Sequence, residues 1–460
     1  MSKEKNLKPS KELPLGFVDR QEKELLIRDF VISNIKEVMI KYGFQYLETP
    51  SFEYTDSIGK FLPDKERPDE GVFSFKDEKK WLSLRYDLTA PLARYVAKNY
   101  LELPKPFKRY QLGTVWRNEK PGPGRFREFL QFDADFVGTK NLMADAELCV
   151  MISEILKKCG LADKDFTIKF SSRQLVEDTL SFLLRKIISK DQRSKILRSL
   201  DKVDRLGWDE VKKLLGDGRK DASGDFTAGA GLTVEQINGL NDLLKFDAKD
   251  SYDYGTEGRI QLSRYKEIQE FKDNLDFFGL KNYKFDPTVI RGLEYYTGIV
   301  FEVNLNFDVQ NFVGKTIQFG SVGGGGRYDN LVSNFGNFDC PATGISIGLD
   351  RLVYALMQKK DFKLKAARPV IICVFDKSKT KEYVGILNKL RISNISSEIY
   401  PGEGKLKKQM EYANKIGSPA VILYGDDEIK SGKATLKNLE SGKESSVKIE
   451  DLANEIKKLL

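Results

Sequence analysis

VWRNEKPGPGRFREFLQFDADFVG, residues 115–138, is the stretch from which the fold can be read. Its second arm alternates with a period of two: Leu130, Phe132, Ala134 and Phe136 fall on one side, Gln131, Asp133 and Asp135 on the other. That is the pattern of a half-buried strand. The first arm repeats it, with Tyr110, Leu112 and Trp116 apolar and Arg109, Gln111 and Arg117 polar. Between the arms, Lys120-Pro121-Gly122-Pro123-Gly124 is a loop. The spacing predicts an antiparallel hairpin with one apolar face and one face of arginines, amides and acids. A sheet facing water has little need of that mixture. A cleft for a zwitterion and a polyphosphate does.

Composition sets wide bounds around this hairpin. At roughly 150 residues per domain, 460 residues suggest about three domains with sizeable cores. Hydrophobic residues make up 40%, and no apolar run approaches the ~20 residues of a membrane span, so a soluble chain with no membrane partner is expected. The N-terminal MSKEKNLKPSKEL is charged with no apolar segment behind it, unlike a secretory signal. Cys149, Cys159, Cys340 and Cys373 form no CxxC pair; free, buried thiols in a reducing cytoplasm are expected, not a zinc site or disulfides. The net charge of +8 suits a polyanionic partner and, equally, a Lys-rich background.

Along the chain, residues 1–13 read as a basic tail. Apolar residues from Leu25 to Met39 recur at helical spacing, with Asp19 as the expected cap and Gly43 as the stop. Residues 44–52 read as a strand interrupted by Pro50. A strand over 81–89 leads into a helix over 90–99 and leaves Asp87 and Thr89 at the corner. There Asp87 serves as a helix cap or as a ligand. A helix over 141–160 and a strand over 166–170 follow. From 171 to 284, Lys-rich helices broken by glycines predict a helical insertion. Strands return at 288–291, 299–305 and 316–322, just before four consecutive glycines at 323–326. Those glycines either let the backbone approach a ligand or form a flexible loop. They lack both GxGxxG spacing and a Walker lysine, which argues against a Rossmann or P-loop nucleotide site. Residues 358–368 read as a linker, and 369–460 as a small α/β domain with a largely parallel core.

Arg117-Asn118-Glu119, the run GRFREF at 124–129 and Gln131 resemble the second signature motif of class II aminoacyl-tRNA synthetases, in the form of the histidyl enzymes. RGLEYYTG at 291–298 resembles the peptide that sets histidyl-tRNA synthetases apart within that class. GISIGLDRL at 344–352 resembles the third motif, and LRYDLT at 84–89 the element that holds the amino acid's ammonium. The N-terminal helix, strand and Pro50 resemble the first motif, which in the family builds a dimer interface. The resemblance runs from about Leu13 to the C-terminus.

It implies an α/β protein with an α+β catalytic domain over 14–170 and 285–357, an antiparallel sheet flanked by helices. The insertion at 171–284 would meet the acceptor arm of tRNA, and 369–460 would be an anticodon-binding α/β domain. The implied activity joins L-histidine to tRNA(His) through a histidyl-adenylate, with ATP as co-substrate. Mg²⁺ is implied on the phosphates, held by acids the sequence does not identify. A cytoplasmic homodimer is implied as well. The same fold also serves a histidine-sensing regulatory subunit of histidine biosynthesis, which lacks the anticodon domain and degrades the motif arginines.

Residue by residue, the resemblance implies Arg117 at the α-phosphate and Arg291 as a second, histidyl-specific cation there. A planar guanidinium bridges two oxygens, which Lys does not. Phe129 and Arg351 would stack on adenine, Glu119 would accept from its amine, and Arg125 would reach the terminal phosphates. Asp87, Thr89 and Gln131 would hold the α-amino end of histidine. Asp135 and Tyr296 would serve the two imidazole nitrogens, with Tyr295 and Tyr328 lining the same pocket. Polar groups left unpaired by a wrong amino acid reject it by large factors. The attacking carboxylate is already an anion, so the step needs charge stabilisation and positioning, not a general base.

The chain contains no histidine. This excludes imidazole as base, metal ligand or pH switch. Two explanations stand: a Lys-rich, low-GC composition, or selection for an enzyme that is still translated when histidine is scarce. Under selection, a variant with two or three added surface histidines and unchanged activity in vitro is expected to slow recovery of cells from histidine depletion. Equal recovery at matched protein levels assigns the absence to composition.

Overall fold

The computed structural model describes residues 11–59, 71–184, 189–220, 224, 226–244, 258–291, 295–311, 313–317, 319–364 and 367–460. The chain forms two compact units, Met1–Lys363 and Leu364–Leu460. Most of the expected basic tail, parts of the expected insertion and residues 292–294 of the RGLEYYTG run lie outside the described residues.

The large unit begins with helix Glu22–Lys41, which buries Ile27, Val31, Ile35, Val38 and Met39 at helical spacing. Asp19 is not its cap: Gln21 precedes the first turn and makes no side-chain cap bond. Instead Glu22 and Glu24 sit in the first turn, where the helix dipole favours acids. The expected strand around Pro50 splits in two. Strand β1 (Gln45–Tyr46) joins the main sheet, and β2 (Phe52–Tyr54) joins a small antiparallel sheet with β3 (Ser74–Asp77) and β4 (Lys80–Leu84). Helix Thr89–Lys98 follows, then the long hairpin of β5 (Phe107–Trp116) and β6 (Glu128–Val137). Asn141 caps helix Leu142–Lys158 by accepting from the Met143 amide at 2.9 Å. Strand β7 (Phe166–Ser172) runs on into helix Arg173–Leu184.

Further short helices, a small hairpin of β8 (Gly218–Lys220) and β9 (Phe226–Ala228), and the 20-residue helix Gly258–Phe277 occupy the described middle of the chain. Strand β10 (Tyr283–Phe285) then pairs with β7, so Ser171, Ser172, Tyr283 and Lys284, within the expected insertion, lie in strands of the main sheet. Residues 288–291, expected as a strand, are irregular, and Arg291 takes a left-handed φ of 58°. Next come β11 (Ile299–Leu305), a ribbon of β12 (Val309–Gln310) and β13 (Thr316–Ile317), then β14 (Ser321–Arg327), β15 (Ala342–Gly348) and helix Leu349–Leu356. The main sheet runs β1-β5-β6-β15-β14-β11-β7-β10, antiparallel from β5 to β7 with short parallel strands at both edges. Gln358, in the expected linker, is tied to the large unit: its side-chain carbonyl accepts from the Gln310 amide at 2.6 Å.

The four glycines are neither a loop nor a flexible segment. Gly323, Gly324, Gly325 and Gly326 all lie within β14, a central strand between β11 and β15. A Cβ on Gly325 would stand 1.9 Å from the Gly344 carbonyl oxygen. Below them the apolar side of the sheet packs Phe132, Ala134, Ile345, Ile347 and Phe301 against helices Glu22–Lys41 and Leu142–Lys158.

The second unit orders its strands β17-β16-β18-β19-β20, namely β16 (Val370–Ile372), β17 (Ser397–Ile399), β18 (Ala420–Leu423), β19 (Lys433–Asn438) and β20 (Glu444–Lys448). The first three are parallel and the last two antiparallel. Helices Thr380–Ile392 and Leu452–Lys457 contribute to one apolar cluster, and helix Leu406–Lys415 to another.

Gly325→Ala is expected to destabilise the large unit by roughly 1–3 kcal/mol, the usual cost of overpacking. Gly385→Ala, where nothing lies within 4 Å of the added carbon, should instead be neutral or stabilising for its helix. Urea unfolding of the two variants checks the contrast.

Candidate active site

The sheet register builds the site. Residues paired across antiparallel strands share a face. Arg109 pairs with Asp135, and Asp135 with Gly344 and, through it, Gly326. Gln111, Asp133, Ser346, Gly324 and Glu302 form the next row. The polar side of the hairpin therefore continues over β15 and β14 as a floor with hardly any side chains. Both faces of the hairpin are buried: Arg109 and Gln111 are fully covered, and Gln131, Asp133 and Asp135 nearly so. The alternation in the sequence marked two different interiors, not an inside and an outside.

Asp135 is held from two sides. The Tyr328 hydroxyl donates to its Oδ1, and Arg109 Nη2 lies 3.1 Å from its Oδ2. That second contact is close but off the hydrogen-bond direction, so Oδ2 keeps an unfilled acceptor. Arg109 also donates to the Leu88 carbonyl at 2.8 Å. Gln131 Nε2 donates to Asp133 Oδ1 at 2.8 Å, and the Thr89 hydroxyl to Asp133 Oδ2 at 3.3 Å. Asp87 accepts from the Ala90 amide at 2.9 Å, so it does act as a cap for helix Thr89–Lys98. The same carboxylate stands close enough to Asp133 for the two to repel. Tyr295 joins the group, with its ring 4.8 Å from Tyr296 and 5.8 Å from Tyr328.

Burial raises the carboxyls of Asp87, Asp133 and Asp135 above the ordinary range. At Asp135 the Arg109 guanidinium opposes that rise, and the neighbouring Asp133 adds to it. Arg109 opposes the rise at Asp133 too, and Arg117 opposes it at Asp87, yet burial prevails at all three. The pocket is short of positive charge.

The arginines rim this pocket. Arg117 reaches the Gln131 side-chain carbonyl at 3.5 Å and the Tyr86 carbonyl at 3.3 Å, and lies over the rings of Tyr86 and Phe129. Arg291 donates to Glu302 at 2.9 Å and rests on Gly324, where a Cβ would stand 2.8 Å from its Nη1. Its Nε is buried with no partner among the described residues. Arg351 donates to the Ser321 carbonyl at 2.8 Å, and its guanidinium covers the Phe319 ring at 4.1 Å. Burial lowers the Arg351 pKa to about 10, helped by Arg125 nearby. Phe129 and Arg351 thus have separate partners, Arg117 and Phe319. Glu119 accepts from the Tyr86 hydroxyl at 2.6 Å. Arg125 is exposed and closes a tight turn with Gly122.

Sequence reasoning left out Arg109, Asp133, Tyr86 and Phe319. The first two were visible as the polar half of the alternation, but their pairing needed the register. Phe319 carried no signal.

The family model of histidyl-tRNA synthetase matches residues 16–352. The chain belongs to the histidyl-tRNA synthetase family. An anticodon binding domain model matches residues 369–459. The histidine–tRNA ligase of Bartonella quintana is 44% identical over 462 residues, covering 97% of this chain and 92% of the relative. Among solved structures, the histidyl-tRNA synthetase of a Nostoc species superposes with a TM-score of 0.75 at 27% identity, over 98% of this chain and all of the other. A Bacillus halodurans protein described as an ATP phosphoribosyltransferase regulatory subunit/histidyl-tRNA synthetase gives 0.64 at 23% identity over 88% of this chain and 97% of the other, a likeness of fold alone. The antiparallel sheet and the C-terminal α/β unit are those of the family.

A buried carboxyl with a raised pKa favours the folded state at low pH. Between about 4, its value when unfolded, and about 7 for Asp135, the folded chain holds a proton that the unfolded chain has released. This contribution to stability is full below that window and is lost as pH rises through it. Asp135→Asn has no proton to lose. Its urea midpoint should therefore fall less than that of the wild type between about pH 5 and about pH 8.

Proposed function

We propose that the chain activates L-histidine with ATP to histidyl-adenylate, releasing pyrophosphate, and then transfers histidine to the 3′ end of tRNA(His). The observation that carries this is the pairing on one sheet face of a cation-poor acidic pocket with the rim arginines Arg117 and Arg291. The pocket suits an ammonium and an imidazole N–H. The rim suits a phosphate.

In this mechanism Asp87, Thr89 and Gln131 take the α-ammonium. Asp135 and Tyr296 take the imidazole nitrogens, with Tyr295 and Tyr328 closing the pocket. The histidine carboxylate attacks the α-phosphate, and pyrophosphate leaves. Arg117 and Arg291 neutralise the charge that grows on the phosphoryl oxygens in a site screened from water, where preorganised donors count most. Phe129, Glu119, Arg125 and Arg351 serve the nucleotide. For Arg351 to stack on adenine, its guanidinium must leave the Phe319 ring. Mg²⁺, when bound, neutralises phosphate charge and requires only one or two carboxylates beside phosphate oxygens. Among the described residues, Glu302, beside Arg291 and across from Gly324, is an acid that would reach it.

Two features favour the ligase over the histidine-sensing regulatory subunit: the match of residues 369–459 to an anticodon binding domain, and the intact Arg117, Arg291 and Arg351. tRNA is then the polyanion that suits the net charge of +8. A second copy of the chain is the expected partner. Phe52, Tyr54 and Phe75 expose apolar surface on the small sheet, with Phe52 and Phe75 in edge contact at 5.4 Å. A cytoplasmic location accords with four free, buried cysteines.

ATP–pyrophosphate exchange with each amino acid in turn should respond to histidine alone. Arg291→Lys keeps the charge but loses the fork, and should cut exchange by roughly a hundredfold or more, in the range of a lost transition-state donor. Histidine binding by calorimetry should survive. Near-parental exchange in that variant would remove Arg291 from the mechanism.

A further inference from the structure

Arg291 is not glycine, yet its backbone is left-handed, with φ at 58°. Such a conformation persists in a bulky residue only where the surroundings impose it. Glu302 holds the guanidinium. The backbone is held from elsewhere, by Arg173 at the start of helix Arg173–Leu184.

Nη1 of Arg173 donates to the carbonyls of both Ile290 and Arg291, at 3.0 Å each. The backbone amide of Arg173 donates to the Gly298 carbonyl at 2.8 Å. One residue thus grips both ends of the 291–298 segment. Arg173 is 4% exposed, and its Nε donates to Glu177 Oε1 at 3.2 Å. That oxygen also pairs with Arg193 Nη2 at 2.7 Å, on helix Lys190–Leu200.

We propose that Arg173 is a positioning residue for adenylate formation: by clamping the carbonyls of residues 290 and 291, it keeps the Arg291 guanidinium over the Gly324 floor. In this role Arg173 acts through Arg291 and not on a substrate. A planar fork suits the task because one nitrogen serves two carbonyls while another anchors to Glu177, an arrangement a lysine cannot make. The proposal rests on the role given to Arg291 above.

The test is a double-mutant cycle read by the kcat of ATP–pyrophosphate exchange. Arg173→Met in the parental chain should lower kcat by roughly tenfold to a hundredfold, the effect of a reacting group displaced by about 1 Å. Arg173→Lys should recover part of that loss. In an Arg291→Ala background, Arg173→Met should change the residual kcat by less than about twofold, since independent effects would simply add. Equal losses in both backgrounds would mean that Arg173 only supports the fold, and would overturn the proposal. If Arg291→Ala alone leaves exchange intact, the role of Arg291 fails, a separate and recognisable result. Should Arg173→Met not fold, Glu177→Gln, which loosens the anchor and leaves the clamp residue in place, goes through the same cycle. Its kcat loss must also vanish in the Arg291→Ala background.

Discussion

The structure depends on one contact between a carboxylate and a residue with no side chain. Asp135 on β6 pairs with Gly344 on β15, and a Cβ at 344 would stand 2.0 Å from Asp135 Oδ1. The acid therefore lies flat on the neighbouring strand, between Arg109 and Tyr328. A slip of one residue in this register would turn Phe132, Ala134 and Phe136 into the pocket and the acids into the core. The same row continues to Gly326, and the adjacent row to Gly324, where Arg291 rests. Glycine on two adjacent strands turns part of a sheet into a floor.

That floor explains how charge is distributed. Buried acids without enough counter-charge are costly, and proteins tolerate them where a ligand or a proton makes up the difference. Here Asp133 and Asp135 share the buried Arg109 and Asp87 faces Arg117, while Arg291 and Arg351 stand nearby with only partial pairing. A zwitterionic amino acid joined to a phosphate has the complementary pattern, positive in the pocket and negative at the rim. The acids are tuned by burial and the arginines by position. No group in this arrangement has to be an imidazole. A chain without histidine can therefore still carry the chemistry, because the attacking carboxylate needs no base.

Rigidity is supplied from outside the floor. Arg327, buried on β14, donates to Asp145 on helix Leu142–Lys158 and to the Thr139 carbonyl at 2.9 Å. Its own carbonyl accepts from the Thr297 amide at 2.8 Å, and Thr297 bonds Asp329 at 2.9 Å. The peptide carrying Tyr295 and Tyr296 is thereby fixed to the end of β14, just before Tyr328, and Arg173 secures its far end.

What the sequence by itself determined was local. Period-two alternation and a proline–glycine loop specified the β5–β6 hairpin, helical spacing specified the helix Glu22–Lys41, and the motif residues named the family. These signals are short-range, and strands and turns express them directly. The tertiary structure decided the rest. Four glycines read in sequence as a close backbone approach or as a flexible loop; here they form a central strand because backbone approaches within 3 Å of where side chains would stand. Asp19 looked like a cap, but the chain enters its helix two residues later, where Arg20 pairs with Glu24 and reaches Asp350 at 3.0 Å. Arg109 and Asp133 became site residues only when cross-strand register set them beside Asp135. Arg173 met Arg291 across more than a hundred residues of intervening chain. Such pairings are long-range, and no local pattern encodes them.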